Sequence, residues 1–179
     1  MGLRQGETFG LRLDDVDFLG RRLLVRQQVK ILDGVPTAAP PKGRKEREIP
    51  LPDVVAVAVS EHVRQYPSVD GVLFTWQRGL IQRTYYNNQI WKPALREAGV
   101  EPTRENGMHA LRHHYASVLL DGGVSIRALA EYLGHSDPGF TLRIYAHLMP
   151  DSEARARDVV DAAFRAPAES VLNKASVTP

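Results

Sequence analysis

Six consecutive positions in the stretch GMHALRHHYASVLL, residues 107–120, hold three histidines and an arginine: His109, Arg112, His113 and His114. His109 and His113 stand at i and i+4 on one helical face, the separation that a zinc-binding helix uses. A metallohydrolase helix of the H-E-x-x-H kind sets its general base directly after the first histidine, and here that position is Ala110. The Arg112 guanidinium between the imidazoles would repel a dication, and a chain without cysteine cannot build a closed Cys/His zinc site. An imidazole and a fixed cationic fork three residues apart suit a phosphate instead.

Other residues extend that chemistry. Leu133-Gly134-His135 ends the next helical pattern, and Tyr145 comes ten residues after the histidine. Near the start, Gly2-Leu3-Arg4 leads a short segment carrying Glu7. Lys42, Arg44, Lys45 and Arg47 cluster in PKGRKER, between two apolar runs. The formal net charge is only +2, so the case for an anionic partner rests on this clustering and not on overall charge. A solvated hairpin tip is the plain alternative for the basic run.

The elements that must position these groups can be read in outline. Residues 5–13 suit a short helix ended by the acidic turn DDVD. RRLLVRQQV and EREIPL read as strands, joined by the turn-rich ILDGVPTAAPPKGR. DVVAVAVSEHVRQY has helical apolar spacing with Asp53 as its expected N-cap, and GVLFTW reads as a short strand. Four helical patterns come next, the second with Leu111, Tyr115, Val118 and Leu119 expected in the core and with His109 and Arg112 at its edge. Ser125 caps the third, whose stripe is Ile126, Leu129, Ala130 and Leu133; Asp137 caps the fourth, with Pro138 at its first position. PDSEARARDVVDAAFRA suits a further amphipathic helix with Val159, Val160, Ala163 and Phe164 on its apolar side. At 179 residues the chain has room for one sizeable core. It has no cysteine, no bilayer-length apolar stretch and no leader pattern, so the expectation is a soluble cytoplasmic protein.

The ordered set of motifs resembles the catalytic domain of a tyrosine recombinase of the phage-integrase family. GLRQGETFGLRLDDVD is similar to the family's first box, and HALR, LGH and Tyr145 are similar to its second region. KGRKEREIPL is similar to the basic hairpin between them. The resemblance implies an α+β, mainly helical fold with a small antiparallel β-sheet, a catalytic domain over residues 1–165 and a disordered tail over 166–179. It implies Arg4 and Arg112 as a phosphate clamp, His109 and His135 as further phosphate contacts, and Tyr145 as the nucleophile that forms a 3′-phosphotyrosine. Lys42 would protonate the departing 5′-oxygen, with Lys45 as the alternative; Glu7 would orient an arginine or His109; Arg44, Lys45 and Arg47 would contact DNA. His113 and His114 are assigned to helix-surface or phosphate-backbone contacts, His147 to a family position or a structural role, and Tyr85 and Tyr86 to packing or DNA-backbone contact. No metal and no cofactor are expected. The expected partners are double-stranded DNA and, in a full-length form, three further copies in a tetramer, with the C-terminal helix docked in trans; no membrane is expected. Because Arg4 lies so near the start, the resemblance also implies an N-terminally truncated domain. The competing readings are a weak or inactive DNA-binding remnant, a type IB topoisomerase and a metal-dependent hydrolase.

Overall fold

The structure, a computed structural model, describes residues 1–148 together with Arg157 and residues 160–163. The chain opens with helix α1 (Gln5–Gly10) and a 3-10 turn (Leu13–Asp15). Two acids shape the path into the first sheet: Asp15 accepts the Arg12 N–H at 2.9 Å, and Asp17 accepts the Gly20 N–H at 2.6 Å. Both are side chain to backbone bonds of the kind that set turns. Strands β1 (Val16–Asp17), β2 (Arg22–Val25) and β5 (Arg47–Pro50) form an antiparallel sheet in the order β1-β2-β5, with Leu23 opposite Ile49 and Val25 opposite Arg47. Leu23, Val25, Ile49 and Leu51 are buried together with Leu11, Val16 and Leu73.

The segment expected as one long turn contains a second hairpin. Strands β3 (Gln28–Leu32) and β4 (Val35–Ala39) pair antiparallel around Asp33-Gly34, both at positive φ (49° and 80°). That pair of left-handed residues is what a two-residue turn between twisted strands requires. The basic run is accordingly not the tip of the hairpin. Lys42–Arg44 form a tight turn between β4 and β5, with Gly43 at φ 81°.

Helix α2 (Asp53–Gln65) starts one residue earlier than expected. Pro52 is its N-cap, and the Asp53 carboxylate sits in the first turn, 2.7 Å from Arg21. Val55, Ala56, Val59 and Val63 pack against the sheet core, while Val54 and Val57 face outward. GVLFTW gives only the two-residue strand β6 (Thr75–Trp76), paired with β7 (Gly79–Leu80). Next come α3 (Arg83–Tyr86), a π turn (Asn87–Trp91) and α4 (Lys92–Glu97). Pro93 has no N–H for the regular helical bond, and the wider turn stands immediately before α4, where that proline lies.

Helices α5 (Met108–Asp121), α6 (Ile126–Leu133) and α7 (Pro138–Tyr145) carry a second core of Ala116, Leu120, Leu129, Leu133 and Tyr145. Burial of each of these leucines stabilises the fold by roughly 2 kcal/mol. The caps expected for the last two helices form: Ser125 Oγ accepts the Ala128 N–H, and Asp137 accepts from both Gly139 and Phe140. Helix α5 departs from its expected face only in part: Tyr115 and Leu119 pack against this core as expected. Arg112, Ala116 and Leu120 point inward, whereas Leu111 and Val118 are each 54% exposed. Small Ala116 lets α5 lie close to its neighbours, and Leu111 instead lines an apolar groove with Met1, Val55 and Leu73. In the C-terminal segment Val160 and Ala163 are helical and exposed; Val159, Phe164 and the tail 166–179 lie outside the described residues. Among the described residues no helix is long and apolar enough to cross a membrane.

Asp137 anchors the helix that ends in Tyr145. Asp137→Ala should therefore lower the thermal midpoint of the chain and speed amide exchange in the first turn of α7, where two backbone N–H groups lose their acceptor. Unchanged exchange there would show that the cap does not hold that turn.

Candidate functional site

One open cavity of about 510 Å³ gathers the residues singled out by spacing: Arg4, Lys42, His109, Arg112, His135 and Tyr145 all line its wall. They come from the N-cap of α1, the basic turn, α5, the end of α6 and the end of α7. His113, exposed on α5, also lines the cavity. Its ring stacks edge-on to His109 at 4.6 Å and lies 5.5 Å from the Tyr145 ring. Its position one turn after His109 on the same helix is the signal in the sequence for this placement. Lys45 is exposed and is not part of the wall, whereas Lys42 is. Arg44 is also exposed, on the same turn.

Beneath the cavity lies a buried carboxylate. Glu7 is fully buried, and Arg47 grips it with two parallel bonds, Nη1 to Oε1 at 3.1 Å and Nη2 to Oε2 at 2.7 Å. Arg4 completes the shell, donating Nη1 to Oε1 and its backbone N–H to Oε2, each at 2.9 Å. Burial by itself would raise the Glu7 pKa, but the bonds and charge of Arg47, helped by Arg4, outweigh it and hold the carboxyl below its ordinary value.

Arg47 is thus not the solvent-facing contact expected from its place in a basic run. It is buried because strand alternation puts it on the same inward face as Ile49. Its Nε donates to the Tyr132 carbonyl at 2.9 Å, fastening the end of α6 to the same point. There Gly134 closes the helix in the left-handed conformation, φ 65°, with the His135 N–H returning to the Ala130 carbonyl. A Cβ on Gly134 would lie 2.8 Å from the Arg47 guanidinium, so a larger residue would have to displace that guanidinium as well as adopt a left-handed backbone. Arg4 Nη2 donates to the Gly134 carbonyl at 3.0 Å.

Arg112 is buried, not at the rim of the core. Its fork donates to the Gly2 and Leu133 carbonyls, both at 2.6 Å, and Nη2 lies 3.0 Å from His135 Nε2. Burial, followed by the charge of Arg4, pushes its pKa down to about 10, which still leaves it charged at neutral pH. Burial and then Arg112 push His135 down to about 4, so this imidazole is neutral. His109 is lowered by burial and by His113. Burial raises the Tyr145 phenol, and Arg112 opposes that rise. Arg4 and Arg47 hold one buried anion while Arg112 feels its charge without bonding it, so the site carries a positive surplus with neutral proton carriers beside it. Among the described residues no group of three or more metal-ligating side chains converges.

The sequence pattern of the phage integrase family matches residues 1–151. The chain belongs to that family. It is 30% identical to a tyrosine recombinase XerC-like protein of Caldanaerobacter subterraneus subsp. tengcongensis, over 91% of this chain and 47% of the relative. It is 32% identical to tyrosine recombinase XerA of Thermococcus kodakarensis, over 88% of this chain and 50% of the relative. The integrase-family chain thus spans about half the length of these curated relatives. Its fold is similar to that of the Tn1549 transposon integrase in complex with transposon right end DNA, with a TM-score of 0.72 at 28% identity, covering 90% of this chain and 55% of the other. The catalytic domain of bacteriophage HP1 integrase shares the fold with a TM-score of 0.60 at 24% identity, covering 92% of this chain and 75% of that one.

Removing Arg47 leaves a buried carboxylate with one partner fewer. Arg47→Ala should cost about 3–5 kcal/mol at neutral pH, measured by denaturant unfolding. In the parent, ionised Glu7 contributes stability that is present above the ordinary carboxylate value and lost as pH falls through its depressed folded value. In the variant, burial opposes ionisation and acid relieves the defect. The stability gap between the two should therefore narrow towards acidic pH, and a constant gap would mean that Arg47 acts through packing alone.

Proposed function

We propose that this chain is the catalytic part of a site-specific recombinase that cuts and rejoins double-stranded DNA through a covalent 3′-phosphotyrosine on Tyr145. The observation that carries this reading is the convergence of Arg4, Lys42, His109, Arg112, His135 and Tyr145 on one electropositive cavity. The Tyr145 oxygen attacks the scissile phosphorus, forming the P–O(Tyr) bond as the bond to the DNA 5′-oxygen breaks. Charge grows on the non-bridging oxygens during that step, and the planar forks of Arg4 and Arg112 match it. Arg112 has five N–H donors against three protein acceptors, which leaves donors for phosphate. Lys42 protonates the departing 5′-oxygen. The neutral rings of His109 and His135 contact the phosphate, and either can carry the phenol proton. A 5′-hydroxyl reverses the sequence without a nucleotide, because the ester keeps the bond energy.

A neighbouring groove of about 780 Å³ shares Arg4 and His109 with the cavity and adds Lys30 and Arg83, a cationic path suited to the adjoining strand. The full protein is proposed to work as a tetramer on DNA.

Nicked DNA that traps the cleaved strand provides the test. The parent should form a covalent protein–DNA adduct; Tyr145→Phe should form none while binding DNA nearly as before, and Arg112→Lys should be slowed roughly a hundredfold or more. An adduct that persists in Tyr145→Phe would place the nucleophile elsewhere, with Tyr132 next to examine.

The exposed basic turn has its own signature. Affinity for DNA should fall with salt, and Arg44→Ala with Lys45→Ala should reduce the slope of log affinity against log salt by about two. An unchanged slope would put the turn away from the duplex. Arg47, being buried, is left out of this test.

A further inference from the structure

Trp76 ends β6 and Tyr85 lies on α3, and their ring centroids are 5.4 Å apart at an interplanar angle of 38°. The two rings support one another, yet they are 44% and 36% exposed and leave a broad aromatic face in water. Gly79, opposite Trp76 in the hairpin, has no side chain to cover the indole. Their neighbours show the contrast. Tyr86 packs edge-on against Phe9 in the core, and Trp91 Nε1 donates to the Asn106 carbonyl at 3.0 Å. Among the described residues the Trp76 indole N–H and the Tyr85 hydroxyl have no such protein partner.

The charge around this face has one sign. No aspartate or glutamate occurs between Asp70 and Glu97, whereas Arg78, Arg83, Lys92 and Arg96 all fall in that interval. Arg78 stands at the tip of the β6–β7 turn, where Gln77 and Arg78 both have positive φ (48° and 63°). Neither Arg78 nor Arg83 pairs with an acid among the described residues. Arg83 also lines the groove that shares Arg4 and His109 with the cavity, so the aromatic face borders the cationic path leading out of it. Open rings beside unpaired guanidiniums suit a nucleic acid: the forks take phosphates, and the rings lie against the apolar faces of the sugars. A second copy of the chain fits poorly, because a symmetric contact would set these cations against themselves.

We infer that Trp76 and Tyr85, flanked by Arg78 and Arg83, form a second contact surface for double-stranded DNA, outside the cavity, on which the sugar–phosphate backbone rests. This rests on the DNA-binding reading given under Proposed function, but not on the cleavage chemistry. The indole N–H adds a donor for a phosphate oxygen at the centre of the surface. The surface holds the duplex at a distance from Tyr145 and contributes to affinity rather than to the reacting atoms.

The experiment uses the whole 179-residue chain and a duplex oligonucleotide of mixed sequence at low salt, with binding followed by the anisotropy of labelled DNA. Acrylamide, an uncharged quencher, reports how open the tryptophans are. Bound duplex should protect the parent's emission, and that protection should be lost in Trp76→Phe, which leaves only Trp91 to report. Trp76→Ala should bind the duplex roughly fivefold or more weakly, and Trp76→Phe, which keeps a ring, within about threefold of the parent. Arg78→Ala should reduce the slope of log affinity against log salt by about one. Duplex that binds yet leaves Trp76 as open as before overturns the inference, and so does an unchanged affinity in Trp76→Ala. Protection that grows with protein concentration without DNA would give the face to a second copy and overturn it too. The comparison of parent with Trp76→Phe decides even if Trp76→Ala does not fold. Absence of any duplex binding would sink the DNA-binding reading along with this one. Protection of Trp76 with no covalent adduct on nicked DNA would support the contact and count against the cleavage chemistry alone.

Discussion

The geometry of the whole cavity depends on one buried anion. Glu7 is sealed from water and ties three parts of the architecture together: the N-cap of α1 through Arg4, strand β5 through Arg47 and, by way of Arg47, the last turn of α6. The first and last of these deliver Arg4 and His135 to the cavity, and β5 leads out of the turn that delivers Lys42. A carboxylate in so dry a place is tolerable only when cations satisfy both its oxygens, and here two guanidiniums do so. The ion pair matters less as a source of net stability than as a fixed point, because two planar forks around one carboxylate permit few other arrangements.

The same arrangement explains how a strongly cationic site can hold neutral proton carriers. Arg112 and Arg4 crowd His135, which lowers its proton affinity after burial has already done so. Tyr145 experiences the opposite balance: burial discourages its phenolate, and only Arg112 opposes that. On the proposed function, a bound phosphate would change both effects together, partly neutralising the arginines and bringing the electrophile to the phenol.

Much of this is legible in the residues, and the exceptions have identifiable causes. Arg4, His109, Arg112, His135 and Tyr145 meet at one cavity because their spacings fall on helix ends and faces that the caps at Ser125 and Asp137 make readable. Arg47 escapes such a reading because a run of cations looks like surface, although the alternation Arg47, Ile49 places it inward. The β3–β4 hairpin hides inside a stretch so rich in turn residues that Asp33-Gly34 does not stand out; its two positive φ values mark it as a hairpin. The face of α5 is not decided by its apolar residues alone. Tertiary demand for Arg112 inside the cavity turns Leu111 and Val118 outward. Thr141 carries no motif of its own, and only the fold brings it to the His135 ring it touches.

Gly134 and Arg47 lie on elements far apart in the chain, yet the guanidinium occupies the space that a side chain at 134 would need. This makes the two positions an interlocked pair in mutational terms. Enlarging residue 134 first would push the guanidinium off Glu7, and shortening residue 47 first would leave Glu7 with Arg4 alone. The route to another pairing passes through a destabilised intermediate, which slows drift at this corner. Sequence libraries built around this fold should vary positions 7, 47 and 134 together or leave all three untouched.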